Sequence, residues 1–234
     1  MVVGKKTTQL YRIMDFARVV QLFEKKELYF ANPSTWDDPY EQLIKHSKDH
    51  AVFGQCWSST HTSDALWRIY SKDGMGVRIS TSIEKFREII RVGIQGKGYK
   101  YRLRQVEYVS QIRLNNKAKY VAASLRTVFN IGGAVDMLYV KREAFEHEDE
   151  WRATLYCPSE IKADGKKGIT IPVDPHRFIK SILLDPRASD ELVDAFTFYF
   201  KSKLGFKGKV ARSVLYKKPK GYEIEDDVLS IEDL

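Results

Sequence analysis

The sequence predicts a mixed α+β domain, on three observations. Short apolar runs, among them Leu10–Met14, Leu28–Phe30, Val52–Trp57 and Val77–Ser80, have the length and composition of strands. Stretches with apolar residues at i, i+3, i+4 and i+7 alternate with them and read as helices. No internal repeat and no long linker divides the 234 residues, so one domain over 1–218 is expected, followed by an acidic tail over 219–234.

The elements follow in order. After Leu10–Met14, Asp15 stands where a helix N-cap belongs, and Phe16, Val19, Val20 and Phe23 mark one buried helix face. Leu28–Phe30 leads into Ala31–Glu41, which packs two prolines, Trp36 and three carboxylates into eleven positions. Asn-Pro and Asp-Pro favour turns, so this is a rigid acidic loop at a strand end, with Trp36 as its anchor. Ser63 is placed to cap a helix carrying Leu66, Trp67 and Tyr70. Thr81 and Glu84 fit a capping box ahead of Ile83, Phe86, Ile89 and Ile90. Gly93, Gly96 and Gly98 read as a loop, because they follow a helix where a dinucleotide fingerprint would open one.

Leu103–Val109 reads as a strand. Asn116–Phe129 reads as a helix with Ala118, Val121, Ala122, Leu125 and Val128 inward, ended by Gly132-Gly133. Four acids surround His147 just before the apolar run Ala153–Tyr156. An Asp164-Gly165 turn, strands at Ile169–Val173 and Ile179–Leu184, a helix capped by Ser189 and a last strand over Lys209–Tyr216 complete the chain.

Composition narrows the class. Hydrophobic residues make up 43% and aromatics 12%, enough for a core. No apolar run reaches membrane-spanning length, and no apolar stretch follows the two lysines of Met1–Lys6, so neither a membrane span nor a secretory signal is expected. With two cysteines, Cys56 and Cys157, a reduced cytoplasmic protein is the default. The histidines and cysteines have no metal-site spacing. The net charge of +8 is uneven: residues 85–126 hold eleven Lys/Arg against two Glu, while 219–234 hold six acids against one Lys. The basic region suits a polyanion partner such as nucleic acid.

Several separated motifs resemble a bacterial domain-of-unknown-function family, number 2971. They are Leu10-Tyr11-Arg12, Asn32-Pro33 with Asp38-Pro39-x-Glu41, Cys56-Trp57-Ser58, Leu66-Trp67-x-x-Tyr70, Gly76-Val77, Glu148-x-Glu150-Trp151-Arg152, Leu184-Asp185-Pro186 and Ser213-x-Leu215-Tyr216. Trp36-Asp37 stands where Phe-Asn is more typical, and Arg68-Ile69 where Ser-His is common. The opening strand with Tyr11-Arg12, then helix, then strand, is also similar to ADP-ribosyltransferase-type domains. That likeness implies a split or strongly bent mixed sheet flanked by helices, with NAD as substrate. It implies Glu148, Glu150 and Tyr70 as catalytic residues, and Tyr11, Arg12, Trp67, Asp38, Glu41 and Arg152 at the NAD. It further implies a macromolecular target, nucleic acid included, and a role in toxin or phage-defence systems.

The residue types suit that chemistry. Breaking the nicotinamide–ribose bond builds positive charge on the sugar, as in glycoside hydrolysis, and a carboxylate stabilises it. A guanidinium matches a diphosphate with its planar donors. Glu148 and Glu150, two apart, would share one face of a strand and repel, raising one pKa. Two other readings stay open: a metal-dependent nuclease using Asp37, Asp38, Glu41, Glu148 and Glu150, and a non-catalytic nucleic-acid-binding module.

Overall fold

The computed structural model describes residues 9–158 and 167–217; the expected Asp164-Gly165 turn and the 219–234 tail lie outside them. The chain opens with β1 (Gln9–Asp15), α1 (Phe16–Lys25) and β2 (Glu27–Ala31). Two short 3-10 turns, Pro33–Thr35 and Pro39–Gln42, shape the proline loop, because Asn32 and Asp38 accept hydrogen bonds from the amides of Ser34 and Tyr40. There follow β3 (Val52–Ser58), α2 (Asp64–Tyr70), β4 (Gly76–Ser82) and α3 (Ile83–Ile94). Next come β5 (Lys100–Gln105), β6 (Glu107–Val109), α4 (Gln111–Thr127), α5 (Ile131–Asp136), β7 (Val140–Arg142) and β8 (Glu150–Tyr156). The last part is β9 (Gly168–Pro172), α6 (Pro175–Phe178), β10 (Ser181–Leu184), α7 (Asp190–Phe198) and β11 (Lys209–Arg212).

Nine strands form one mostly antiparallel sheet in the order β11-β10-β4-β1-β3-β2-β9, with β8 and then β5 added beside β3. Only β10–β11 runs parallel within it. The remaining pair, β6 and β7, is parallel and separate. One face of the large sheet packs on α1, α3, α6 and α7, through Val19, Phe23, Phe86, Ile90, Phe178 and Phe196 among others. Full burial of each such side chain contributes about 1.5–3 kcal/mol. The α+β class and the split sheet are both present, as expected.

Several local expectations need correction. Asp15 occupies the N-cap position of α1 but its side chain makes no cap hydrogen bond; it faces Arg18 at 3.6 Å. The cap of α3 is Ser82, one residue later than expected, and the Thr81 hydroxyl instead donates to the Phe178 carbonyl. Gly93 lies in the last turn of α3, where a Cβ would come 2.9 Å from Ile171, so the glycine permits close approach to β9. The Leu103–Val109 run is broken at Val106, whose amide donates to Glu150. The helix expected over Asn116–Phe129 starts at Gln111 and ends at Thr127; of its expected inner residues, Ala118, Val121, Ala122 and Leu125 are half-buried and Val128 is 72% exposed, while Leu114 is fully buried. Leu114 packs with Val109, Met137 and Val140, and Ala118 and Val121 lie against that cluster, which does not include Val128. Gly132-Gly133 opens α5 after an Asn130 cap and does not end α4. The last strand stops at Arg212.

Candidate active site

The sheet opens around β3. One edge of β3 pairs with β8 along its whole length, from Val52–Tyr156 to Ser58–Glu150. The other edge touches β1 only at Tyr11–Ser58 and β2 only at Ala31–Gly54. Between these two points the ladder is missing. Gln55 bridges part of the gap by side chain, donating to the Tyr29 carbonyl at 2.8 Å and accepting from Trp57 Nε1 at 2.7 Å.

Two cavities, of about 150 and 790 Å³, meet at this opening and share Arg12, Cys56, Tyr70, Glu148 and Glu150 in their walls. The smaller also takes in Tyr11, Trp57, Leu66, Trp67 and Arg78. The larger runs along the proline loop, past Trp36, Asp37, Asp38 and Glu41. Helix α2 supplies the aromatic side: Ser63 caps it by accepting from the Leu66 amide, which sets Trp67 inward and leaves Tyr70 half-exposed at the junction. Burial first, then the negative charge of Glu148, pushes the Tyr70 phenol up, so it stays protonated.

Arg12 is the cation of the opening. Among the described residues no acceptor or carboxylate is recorded as its partner, whereas Arg142, Arg152 and Arg187 each pair with an acid. Burial lowers the pKa of Arg12, but an arginine remains charged.

Behind the opening lies a buried ion network. Arg152, wholly buried, donates to Glu150 from Nε at 2.7 Å and from Nη2 at 2.8 Å, to Glu41 at 2.6 Å and to the Leu138 carbonyl at 2.5 Å. The Trp36 ring covers its guanidinium at 4.5 Å. Lys141 donates to Glu148 at 2.6 Å and to Glu150 at 3.2 Å, and Glu41 stands 3.6 Å away. Three carboxylates therefore face two cations, leaving one net negative charge beside the cavity. Burial alone would raise the Glu150 pKa; Arg152 and Lys141 outweigh it and hold the carboxyl below its ordinary value. Burial acts against the charged forms of Arg152 and Lys141 too, and the carboxylates reverse it, raising both. Burial and Glu150 together push the Cys56 thiol well up, so it is no thiolate.

A family model described as "Protein of unknown function (DUF2971)" matches residues 66–153. That segment runs from α2 into β8 and contains Trp67, Tyr70, Lys141, Glu148, Glu150 and Arg152. No curated protein matches the sequence. Similar solved structures include DarT of Thermus sp. 2.9 in complex with NAD+, with carba-NAD+ and with ADP-ribosylated ssDNA. Each is 10% identical with a TM-score of 0.43; the alignments cover 89% of this chain and 96%, 97% and 95% of those chains.

Of the residues expected at the site, Tyr11, Arg12, Trp67, Tyr70, Glu148 and Glu150 all border the smaller cavity, and Asp38 and Glu41 the larger. Arg152 is corrected: with its donors taken up and no exposure, it positions Glu150 and Glu41 and does not face the cleft. The expected mutual repulsion of Glu148 and Glu150 is also corrected. Asp149 between them is left-handed (φ 43°), so strand alternation does not apply, and Lys141 separates the two charges. Asp38 accepts from Tyr40 and from Arg142. Lys141, Arg142 and Arg78 were not legible as site residues, since nothing beside them in sequence sets them apart from surface cations.

Of the eleven basic residues in 85–126, Arg102 and Arg104 pair with Asp136, and Arg113 and Lys117 with Glu107. Among the described residues no helix is long and apolar enough to cross a membrane.

Proposed function

We propose that this chain cleaves the nicotinamide–ribose bond of NAD and passes the ADP-ribosyl group to a macromolecule or to water. The observation that carries the reading is the meeting of Arg12, Tyr70 and the Glu148/Glu150 pair at one opening in a split sheet. A pocket of about 150 Å³ is below the range of ordinary ligand sites, and 790 Å³ is within it, so the dinucleotide extends from the smaller cavity into the larger.

Each residue then has a task. Arg12 holds the diphosphate with donors that no acceptor takes up among the described residues. Tyr70 and Trp67 frame the flat nicotinamide, and Tyr11 lines the same wall. Glu148 is the carboxylate at the reacting ribose. Its side chain is 12% exposed and, among the described residues, its hydrogen-bond partner is Lys141 at Oε2, which leaves Oε1 for the substrate. Glu150, 3% exposed and held by two cations, stays ionised behind it. As the glycosidic bond breaks, its electron pair leaves with nicotinamide. The sugar becomes cationic beside the network's net negative charge, and a nucleophile on the opposite side adds and loses its proton.

The basic excess of residues 85–126 favours a nucleic acid as the acceptor, and a toxin or phage-defence role accords with such a modification. The nuclease reading is less favoured, because Glu41, Glu148 and Glu150 are engaged by Lys141 and Arg152 and not turned to a shared cation position. The test is incubation with NAD labelled in the adenylate, together with single-stranded DNA, RNA or protein. Label on a macromolecule identifies the acceptor; free labelled ADP-ribose identifies water. Unchanged NAD in every mixture refutes the proposal.

A further inference from the structure

We infer that Asp149 is a positioning residue: its carboxylate bridges the strands on both sides of β8 and so holds Glu148 in the cleft. Its meaning for catalysis rests on the proposed role of Glu148 as the carboxylate at the reacting ribose. Glu148 ends the 3-10 turn Glu143–Glu148, and β8 starts at Glu150. Asp149 between them is left-handed, with φ 43° and ψ 54°, and its amide donates to the Glu146 carbonyl at 3.1 Å. At this residue the chain passes from turn to strand. Glu148, on one side, borders both cavities; Glu150, on the other, is buried against Arg152.

A left-handed residue at the end of a turn is an ordinary stop, and glycine fills it at no steric cost. Aspartate tolerates that conformation less well than glycine, so the backbone gives no reason for it. Its side chain does. Oδ1 accepts from Gln105 Nε2 at 2.7 Å, and Oδ2 accepts from the Ser59 hydroxyl. Gln105 ends β5 and Ser59 follows β3, the two strands that flank β8. The Ser59 amide donates to the Asp149 carbonyl at 3.0 Å, and the Glu150 amide to the Tyr108 hydroxyl at 2.8 Å. The junction is thus tied to the sheet on both sides. Lys141 does not supply this alone. Its ammonium is shared among Glu41, Glu148 and Glu150, and a lysine is a flexible point charge that follows a shifted carboxylate. A misplacement of about 1 Å at a reacting group costs up to about 100-fold in rate, so the tie bears on turnover.

The test compares wild type, Asp149→Gly and Asp149→Asn by NAD turnover and by crystal structure. Asp149→Gly keeps the left-handed backbone and removes both side-chain bonds. It should lower kcat about 10–100-fold with KM within about twofold. Asp149→Asn, able to accept from Ser59 and donate to the Gln105 side-chain oxygen, should recover most of that loss. In a Glu148→Gln background, Asp149→Gly should cost about twofold or less, since its effect passes through Glu148. In crystals, Glu148 should hold one position in wild type and be displaced in Asp149→Gly. Wild-type kcat in Asp149→Gly, a full second loss in the Glu148→Gln background, or an unmoved Glu148 overturns the inference even if NAD is cleaved. Glu148 displaced in Asp149→Gly, with no NAD cleaved by wild type, upholds the positioning and refutes the function proposed above. Thermal melts establish folding. Should Asp149→Gly not fold, Gln105→Ala, at an exposed position, removes one of the two bonds; it should lower kcat by a smaller factor, and wild-type kcat there overturns the inference.

Discussion

Replacing Glu150 with Gln separates the two glutamates by effect. The substitution keeps the side chain's shape and removes its charge. In the wild type this carboxylate accepts from Arg152 at 2.7 and 2.8 Å and from Lys141 at 3.2 Å, with the side chain 3% exposed. Removing one partner of a buried ion pair costs about 3–5 kcal/mol. Arg152 keeps Glu41 at 2.6 Å and the Leu138 carbonyl, which places the loss at the low end, about 3 kcal/mol. For a chain of this length, that lowers Tm by about 6–12 °C. Glu148→Gln disturbs one contact, to a lysine that retains two other acids, and should cost about 1 kcal/mol. The order reverses in turnover: Glu148→Gln should lower kcat by about 100-fold or more, because it removes the carboxylate at the developing charge. Glu150→Gln, assayed well below its Tm, should lose less. Thermal melts and NAD turnover on the same preparations check both. A Glu150→Gln protein that melts with wild type, or one that is inactive while Glu148→Gln works normally, refutes the division of roles.

Three further outcomes are expected. Because the Glu150 pKa is depressed in the fold, its stabilisation is present above the ordinary carboxyl value near 4.5 and is lost as pH falls below it; Tm measured from pH 7 to pH 3 should drop on that acid limb in wild type and less steeply in Glu150→Gln. The Cys56 thiol, kept protonated by burial and by Glu150, should react with iodoacetamide far more slowly than a free cysteine at pH 8, followed by mass spectrometry, and a rate equal to that of a free thiol would contradict the site's electrostatics. A Cβ at position 54 would meet the Trp36 ring at 2.7 and 2.9 Å, so Gly54→Ala should push Trp36 off Arg152 and destabilise by about 1–3 kcal/mol in urea unfolding.

How much could be read in advance followed the range of the interactions. The caps at Ser63 and Ser189 depend on residues within one turn and appear where the spacing puts them, and α1 buries Val19 and Phe23 as expected, with Leu22 in place of Val20. The Thr81 cap failed because a group from far along the chain, the Phe178 carbonyl, takes up the Thr81 hydroxyl. On α4 the expected inner residues Ala118, Val121, Ala122 and Leu125 do form the less exposed face, but they are only half-buried and Val128 is exposed, because periodicity records which residues are apolar and not how much protein lies opposite them. At the site, Arg12, Tyr70 and the late glutamates stood out by type and order. Their meeting depends on a ladder left open between β1 and β3, which no local pattern encodes. The ion network was hidden for the same reason: Glu41 and Arg152 are 111 residues apart, and Lys141 looks like any lysine in a short strand. The proline loop gains its meaning there. It carries Trp36 and Glu41 onto Arg152, and so fixes the carboxylates behind the cleft.

The most direct measurement is release of nicotinamide from NAD over time by the wild-type chain and by Glu148→Gln, with single-stranded DNA, RNA and protein offered as acceptors. The account predicts steady release by wild type in at least one mixture, reduced about 100-fold or more in the folded variant. No release by wild type in any mixture, or equal release by the two proteins, would contradict it.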